Sequence, residues 1–305
     1  MPAIPVFFRR LVPLAIPLLL VATSVVPSPA RAESGTLPFE TVFKGRKQFD
    51  ALVAQGEKWK SLPIGERTAA VGRALVGTPY RSYTLEIDDR IEAPSANLDG
   101  LDCWTFFEVS LAFARMLDEP RDQWTPQTFL KKIELDRYRD GSCTGSYLSR
   151  LHYLEDWLHN NDRRGLVRDL TRELGGVRTQ NSAIEMTHNW KSYRYMRNNP
   201  DLRKGIAAME ARVGNEPFYY IPKSAVPAIE SKLQSGDIIG ICSHDGGLIG
   251  TSHVGLAYRT TDGVLHFMHA SSPRNFGKVT LDQRLSAYLE KFRSDAGILV
   301  ARPVR

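Results

Sequence analysis

Two short segments hold the residues best equipped for chemistry. Leu101-Asp102-Cys103-Trp104-Thr105-Phe106 sets a cysteine at the start of an apolar, helix-spaced run, and Ser252-His253-Val254-Gly255-Leu256 sets a histidine on a strand-patterned run. The next strand-patterned run also ends in a histidine, His269. A thiol at a helix start sits in the partial positive charge of free N–H groups, which favours the thiolate. An imidazole within reach completes the minimum equipment for nucleophilic acyl transfer. In that chemistry Cys103 attacks, and His253 takes the thiol proton and later protonates the leaving amine. His269 fixes the ring and tautomer of His253. The Cys103 backbone N–H, with the Tyr80 hydroxyl, is a candidate donor to the oxyanion. A lone cysteine is more often a small buried hydrophobe, and a histidine is often just a satisfied ring. The presence of all three favours catalysis.

Strand register decides whether the two histidines meet. In 252–258, His253 shares a face with Gly255 and Ala257, small residues that leave room for another element. A two-residue turn at Asp262-Gly263 would turn His269 away from His253. An odd loop restores agreement. With Thr261-Asp262-Gly263 as the loop, Gly255 opposes His269 and His253 lies diagonal to it; with 259–263, the histidines face each other directly. Either arrangement puts them within cross-strand reach, roughly 5–8 Å between Cβ atoms. We therefore expect an odd loop with Gly263 left-handed.

Two rival chemistries use the same residues. Cys242, His244, His253, His266 and His269 could be zinc ligands, but His266 and His269 point to opposite faces of one strand and no paired ligand spacing occurs. A nucleophilic serine would sit in a G-x-S-x-G turn, and the chain has none. No metal or cofactor is called for. Three cysteines leave at least one outside any bridge; Cys143 and Cys242 could pair, or all three could be free thiols.

The elements that must position these groups follow from periodicity. Ile64–Leu75 reads as a helix ended by Gly77 and Pro79, and Gly77-Thr78-Pro79-Tyr80 as a turn presenting an aromatic hydroxyl. Cys103–Leu117 is the clearest helix, with Trp104, Phe107, Leu111, Ala114 and Leu117 on one face and Asp99 or Asp102 as cap. Thr125 and Pro126 open another. Leu148, Leu151, Leu154 and Leu158 mark a third amphipathic helix, and 200–212 a fourth. From Ser235 the period changes to strands at 236–242, 252–258 and 264–271, then a helix at 282–292 and a strand at 298–302. Helices followed by a meandering antiparallel sheet give an α+β class. With no visible linker, residues 33–305 read as one domain with a helical insertion at about 118–234.

Composition is that of an ordinary folded protein, 42% hydrophobic and 24% charged. Residues 1–32 differ. Arg9 and Arg10 precede an apolar run, and Ala30-Arg31-Ala32 fits a small-x-small cleavage site. This reads as a signal peptide, placing the protein in the periplasm or outside the cell. The run is short for a spanning helix and broken by Pro13 and Pro17, so stable membrane insertion is not expected after cleavage. Cleavage would remove three arginines and no acid, lowering the net charge from +6 by three. No basic run suggests nucleic acid.

With these residues in place, the chain resembles the NlpC-type papain-like cysteine peptidases and amidases. The resemblance rests on Gly77-Thr78-Pro79-Tyr80, Asp102-Cys103, Ser235-Gly236-Asp237-Ile238-Ile239, His253-Val254-Gly255-Leu256-Ala257 and His269-Ala270-Ser271-Ser272, in that order. The long gap between Cys103 and His253 departs from compact members. Its contents, including Arg137-Tyr138, Tyr147, Ser149-Arg150-Leu151-His152-Tyr153 and Asp156-Trp157, are similar to the N-acetylmuramoyl-L-alanine-amidase-like branch. The resemblance implies a papain-like fold whose nucleophile helix packs on an antiparallel sheet, and a Cys103–His253–His269 triad. It implies a bacterial enzyme that cuts the amide between N-acetylmuramic acid and L-alanine in small peptidoglycan fragments (muropeptides). Candidate oxyanion or substrate contacts are Tyr80, Asp102, Arg150, Ser252 and Ser271; Arg150 and His152 could bind peptide carboxylates. The same triad would serve a γ-D-glutamyl–diaminopimelate endopeptidase or an acyltransferase, whereas a non-catalytic wall-binding protein would not need it.

Overall fold

The computed structural model describes residues 37–304, apart from 182 and 246–247. The signal peptide expected at residues 1–32 lies outside them. The longer helices are α1 (Arg46–Trp59), α2 (Ile64–Ala74), α3 (Cys103–Met116), α4 (Pro126–Arg137), α5 (Leu154–Arg163), α6 (Leu202–Asn215) and α7 (Leu285–Glu290). None of the described helices is long and apolar enough to cross a membrane.

Among the described residues eight strands form an antiparallel sheet: β1 (Val167–Asp169), β2 (Val177–Thr179), β3 (Phe218–Pro222), β4 (Ile238–Asp245), β5 (Leu248–Arg259), β6 (Leu265–Ala270), β7 (Val279–Arg284) and β8 (Asp295–Pro303). The order is β2–β3–β8–β4–β5–β6–β7, with β1 pairing the far end of β8 on the edge that β3 also uses. The mixed helix-and-antiparallel-sheet class is therefore the expected one. The insertion is not purely helical, however, because β1, β2 and β3 all come from it. Without them one edge of β8 would be an unpaired row of backbone groups. These strands are short, and β2 is exposed at Val177 and Arg178, so no apolar alternation announces them.

The sheet buries both faces. Ile238, Val254, Leu256 and Met268 join the core under α3, while Ile239, Ile241, Ala257, Phe267 and Val300 join the opposite core with Leu285 and Leu289 of α7. Helix α3 is central rather than amphipathic: every residue from Thr105 to Met116 is buried. Its polar side chains are paired inside. Glu108 meets Arg137 at 2.8 Å, Arg115 meets Asp136 at 3.0 Å, and the Ser110 hydroxyl donates to the Phe106 carbonyl. The first two pairs bolt α4, and with it the insertion, to the helix that carries the cysteine.

Two expected helices are corrected. The run from Leu148 to Leu158 is a single 3-10 turn at Tyr147–Ser149, an extended stretch through Arg150, and then α5 from Leu154. Arg150 is extended because its backbone bridges Tyr138, and the Leu151 N–H donates to the Arg137 carbonyl. The segment read as a helix from 282 begins as strand β7, with α7 starting only at Leu285. That change moves Asp282 onto the sheet beside His269.

Candidate active site

The loop between β5 and β6 sets the histidine geometry. Arg259 pairs with Leu265, and the Thr260 N–H donates to the Val264 carbonyl, leaving Thr261, Asp262 and Gly263 as a three-residue connection. Gly263 has φ 82°, the left-handed conformation this loop requires. Continuing the register puts Gly255 opposite His269 and His253 on the diagonal. A Cβ at Gly255 would lie 2.5 Å from the Met268 carbonyl oxygen and 2.7 Å from the Phe267 ring, so glycine lets the strands close here. A β-bulge precedes His253: Ile241 pairs with His253 but Cys242 with Thr251, leaving Ser252 as the extra residue. Such bulges re-aim neighbouring side chains.

The result is a relay of four side chains. His253 Nε2 lies 2.6 Å from His269 Nδ1. His269 Nε2 lies 3.3 Å from Asp282 Oδ2. Asp282 Oδ1 accepts from Lys291 Nζ at 2.7 Å and from the Gln283 N–H at 2.7 Å. A carboxylate only accepts, so His269 carries its proton on Nε2. Its Nδ1 must then accept, so His253 Nε2 donates to it. His253 Nδ1 is left with a lone pair, unpartnered among the described residues, in a histidine that lines the same cavity as Cys103. That is the tautomer a base for the Cys103 thiol needs. Phe267 stacks on His269 at 4.8 Å and stands edge-on to His253 at 5.9 Å, holding both rings.

Cys103 is the first residue of α3, and Asp102 is its cap. The Thr105 N–H and hydroxyl both donate to Asp102 Oδ1 at 2.8 Å, while the Asp102 N–H donates to Thr105 Oγ1 at 3.0 Å. The backbone N–H groups of Val254, next to His253, and of Trp104 pull the thiol pKa down. The expected lowering of the thiol pKa is not what results. Burial, then the neighbouring Asp102 carboxylate, push Cys103 up to about 12 against the pull of those N–H groups. Burial and His269 bring His253 down to about 3. The resting site is therefore a neutral thiol beside a neutral imidazole. A nucleophile at Cys103 would give up its proton as it attacks.

The other predicted site residues separate into two groups. Tyr80 lines the cleft with Cys103 on the side away from His253, and burial, then Cys103 and Asp102, raise its hydroxyl to about 12. It stays a donor at any ordinary pH. Ser252 is exposed in the cavity and hydrogen-bonded to Ser243 at 2.7 Å. Ser271 does not reach the cleft: it is buried, its N–H bound to the Lys278 carbonyl and its hydroxyl accepting from the Phe276 N–H. Arg150 lines the cleft, but its guanidinium is already held by Glu92 at 2.6 Å and Glu86 at 3.5 Å, leaving no free fork for a carboxylate. All three cysteines are free thiols. Asp282 and Lys291 are not legible as site residues in the sequence, because 282–292 reads as a helix and only 285–290 is one.

Two cavities of about 520 Å³ and 560 Å³ meet at Cys103, Trp104, His152 and Glu185. Together they make one cleft across Cys103. The insertion supplies its far wall through Asn181, Glu185, Met186 and Tyr193. Beneath that wall Tyr147, Tyr195, Met196 and Ile206 form a small core of their own.

Comparison with known proteins finds similar chains. Crystal structures of an N-acetylmuramoyl-L-alanine amidase from Bacteroides uniformis ATCC 8492 are similar, one at 29% identity and TM-score 0.70, covering 79% of this chain and 99% of that one. A Bacteroides fragilis structure provisionally named a xylanase matches at 34% identity and TM-score 0.66, over 76% and 98% of the two chains. A Legionella pneumophila protein at 20% identity and TM-score 0.64 shares the fold, over 85% and 95%. No curated protein matches this sequence. The family model described as AmiA-like, N-acetylmuramoyl-L-alanine amidase-like, matches residues 70–298, a span that holds Cys103, His253, His269 and Asp282, and the chain belongs to that family.

Proposed function

We propose that this protein is an exported cysteine amidase that hydrolyses the amide between N-acetylmuramic acid and L-alanine in peptidoglycan fragments. The observation that carries the proposal is a cysteine thiol sharing one cavity with a histidine whose tautomer is fixed for proton abstraction. Family membership supports the substrate class. The apolar leader at residues 1–32 supports a periplasmic site of action, where cell-wall turnover would supply fragments. We read the fold as an NlpC-type papain-like domain whose insertion walls the cleft.

In the reaction Cys103 Sγ attacks the lactyl carbonyl carbon as His253 Nδ1 takes the thiol proton. Charge on the imidazolium is balanced through His269 by Asp282, whose own carboxyl is held well below the usual range by its bonds to His269 and Lys291. The Cys103 N–H and the Tyr80 hydroxyl are the donors at hand for the oxyanion. Collapse breaks the C–N bond as His253 returns the proton to the L-alanine nitrogen. Water, deprotonated by His253, then hydrolyses the thioester.

Mass spectrometry of defined muropeptides tests this, using the mature protein and Cys103→Ala. Free stem peptide beginning with L-alanine, made only by the unmutated protein, is the expected result. A cut after D-glutamate would replace the amidase reading with an endopeptidase of the same mechanism. Transfer of the acyl group to an acceptor other than water would replace it with an acyltransferase.

A further inference from the structure

The cleft is short of free cations and supplied with acceptors. Arg150 is the one lysine or arginine lining either cavity among the described residues, and Glu92 and Glu86 hold it. His152 lines both cavities beside Cys103. Its Nε2 lies 2.9 Å from the Tyr147 carbonyl, which can only accept, so Nε2 carries the proton. Nδ1 is then a bare lone pair, without a hydrogen-bond partner among the described residues, on a ring that lines both cavities. Burial, and then the charge of Arg150, bring this ring down to about 3, so it stays neutral. Glu185 also lines both cavities and is exposed. Tyr193 donates to its Oε2 at 2.7 Å, leaving Oε1 open.

We propose that His152 and Glu185 form an acceptor pair that selects substrates carrying a primary ammonium group. The inference rests on the amidase reading and narrows its substrate: the fragment is one whose stem has a free side-chain amine on its diaminoacyl residue. An ammonium offers three donors and a positive charge, matching two acceptors of which one is a carboxylate. A carboxylate at the same place would meet two acceptors and no donor. His152 is thus fitted to the opposite of the carboxylate-binding role its basic neighbourhood in the sequence suggests.

The test compares two muropeptides that differ only in that amine, free or N-acetylated. Unmutated protein should cleave the free amine at least tenfold better in kcat/KM. His152→Phe, which keeps a ring but no acceptor, should lose the preference. His152→Asn, which can place an amide oxygen where Nδ1 lay, should keep part of it. Circular dichroism of each variant establishes that it is folded. Equal cleavage of the two fragments overturns the proposal. Calorimetric binding of both to Cys103→Ala separates this idea from the scissile bond. Tighter binding of the free amine with no amidase product would sink the amidase reading and leave the acceptor pair standing. Equal binding would sink the pair.

Discussion

At the scale of single residues, the direction of each proton decides whether the site works. Asp282 Oδ1 receives donors from Lys291 and from the Gln283 N–H, so any side chain at 282 must put an acceptor on that side. In Asp282→Asn the amide oxygen takes that position and the NH2 turns to His269. His269 must then accept at Nε2 and donate from Nδ1, forcing His253 Nε2 to accept and its Nδ1 to carry the proton. The base is lost with the rings still in place. We expect kcat/KM to fall about 100- to 10,000-fold, the usual worth of a general base, with little change in KM. NMR of the labelled histidines should show the tautomers exchanged. A variant with full activity would mean that the relay does not set the tautomer. The grouping of Cys103, His253 and His269 was legible because residue type and alternation are local properties of the sequence. The fourth member was not, because Asp282 gains its role from a pairing of β7 with β6 that its own neighbours do not encode.

At the scale of elements, the start of α3 serves packing and chemistry together. Asp102 closes the helix through Thr105 and, after burial, adds to what keeps the thiol protonated. Asp102→Asn separates the two duties, since asparagine caps as well as aspartate. The helix should lose less than about 1 kcal/mol. The Cys103 pKa should fall, and iodoacetamide should alkylate the variant faster near neutral pH. An unchanged pH profile of alkylation would show that burial alone raises the thiol. Helices α2, α3 and α4 were readable from spacing and caps, with Thr125 and Pro126 marking the start of α4. What spacing concealed was that α3 is buried all round. Glu108 and Arg115, seven residues apart, look like one solvent-facing edge, and only the partners brought by α4 explain them inside. The bulge at Ser252 was equally hidden, for it depends on what β4 presents opposite.

At the scale of the whole molecule, keeping several histidines neutral inside the fold has a consequence for acid stability. His152, His253 and His269 all have folded-state pKa values below the unfolded value of about 6.5, chiefly through burial. Below that pH the unfolded chain binds protons that the folded chain refuses, so each histidine makes stability fall as pH falls, towards about pH 3 for His152 and His253. Buried carboxyls act in the opposite sense. Burial raises Glu108, Asp136 and Glu155, so the folded chain takes protons there before the unfolded one does. The total pH dependence is therefore a small difference between opposed contributions, and the histidine share is read by comparison with a variant. His253→Gln lacks one titrating ring. Relative to the unmutated protein, it should gain stability as pH falls from 6.5 to 4, by up to about 1.4 kcal/mol per pH unit. Urea unfolding of the two proteins at pH 7, 5.5 and 4 measures that difference. A difference that stays constant across the range would mean that His253 titrates alike in both states, and the neutral resting site would have to be given up.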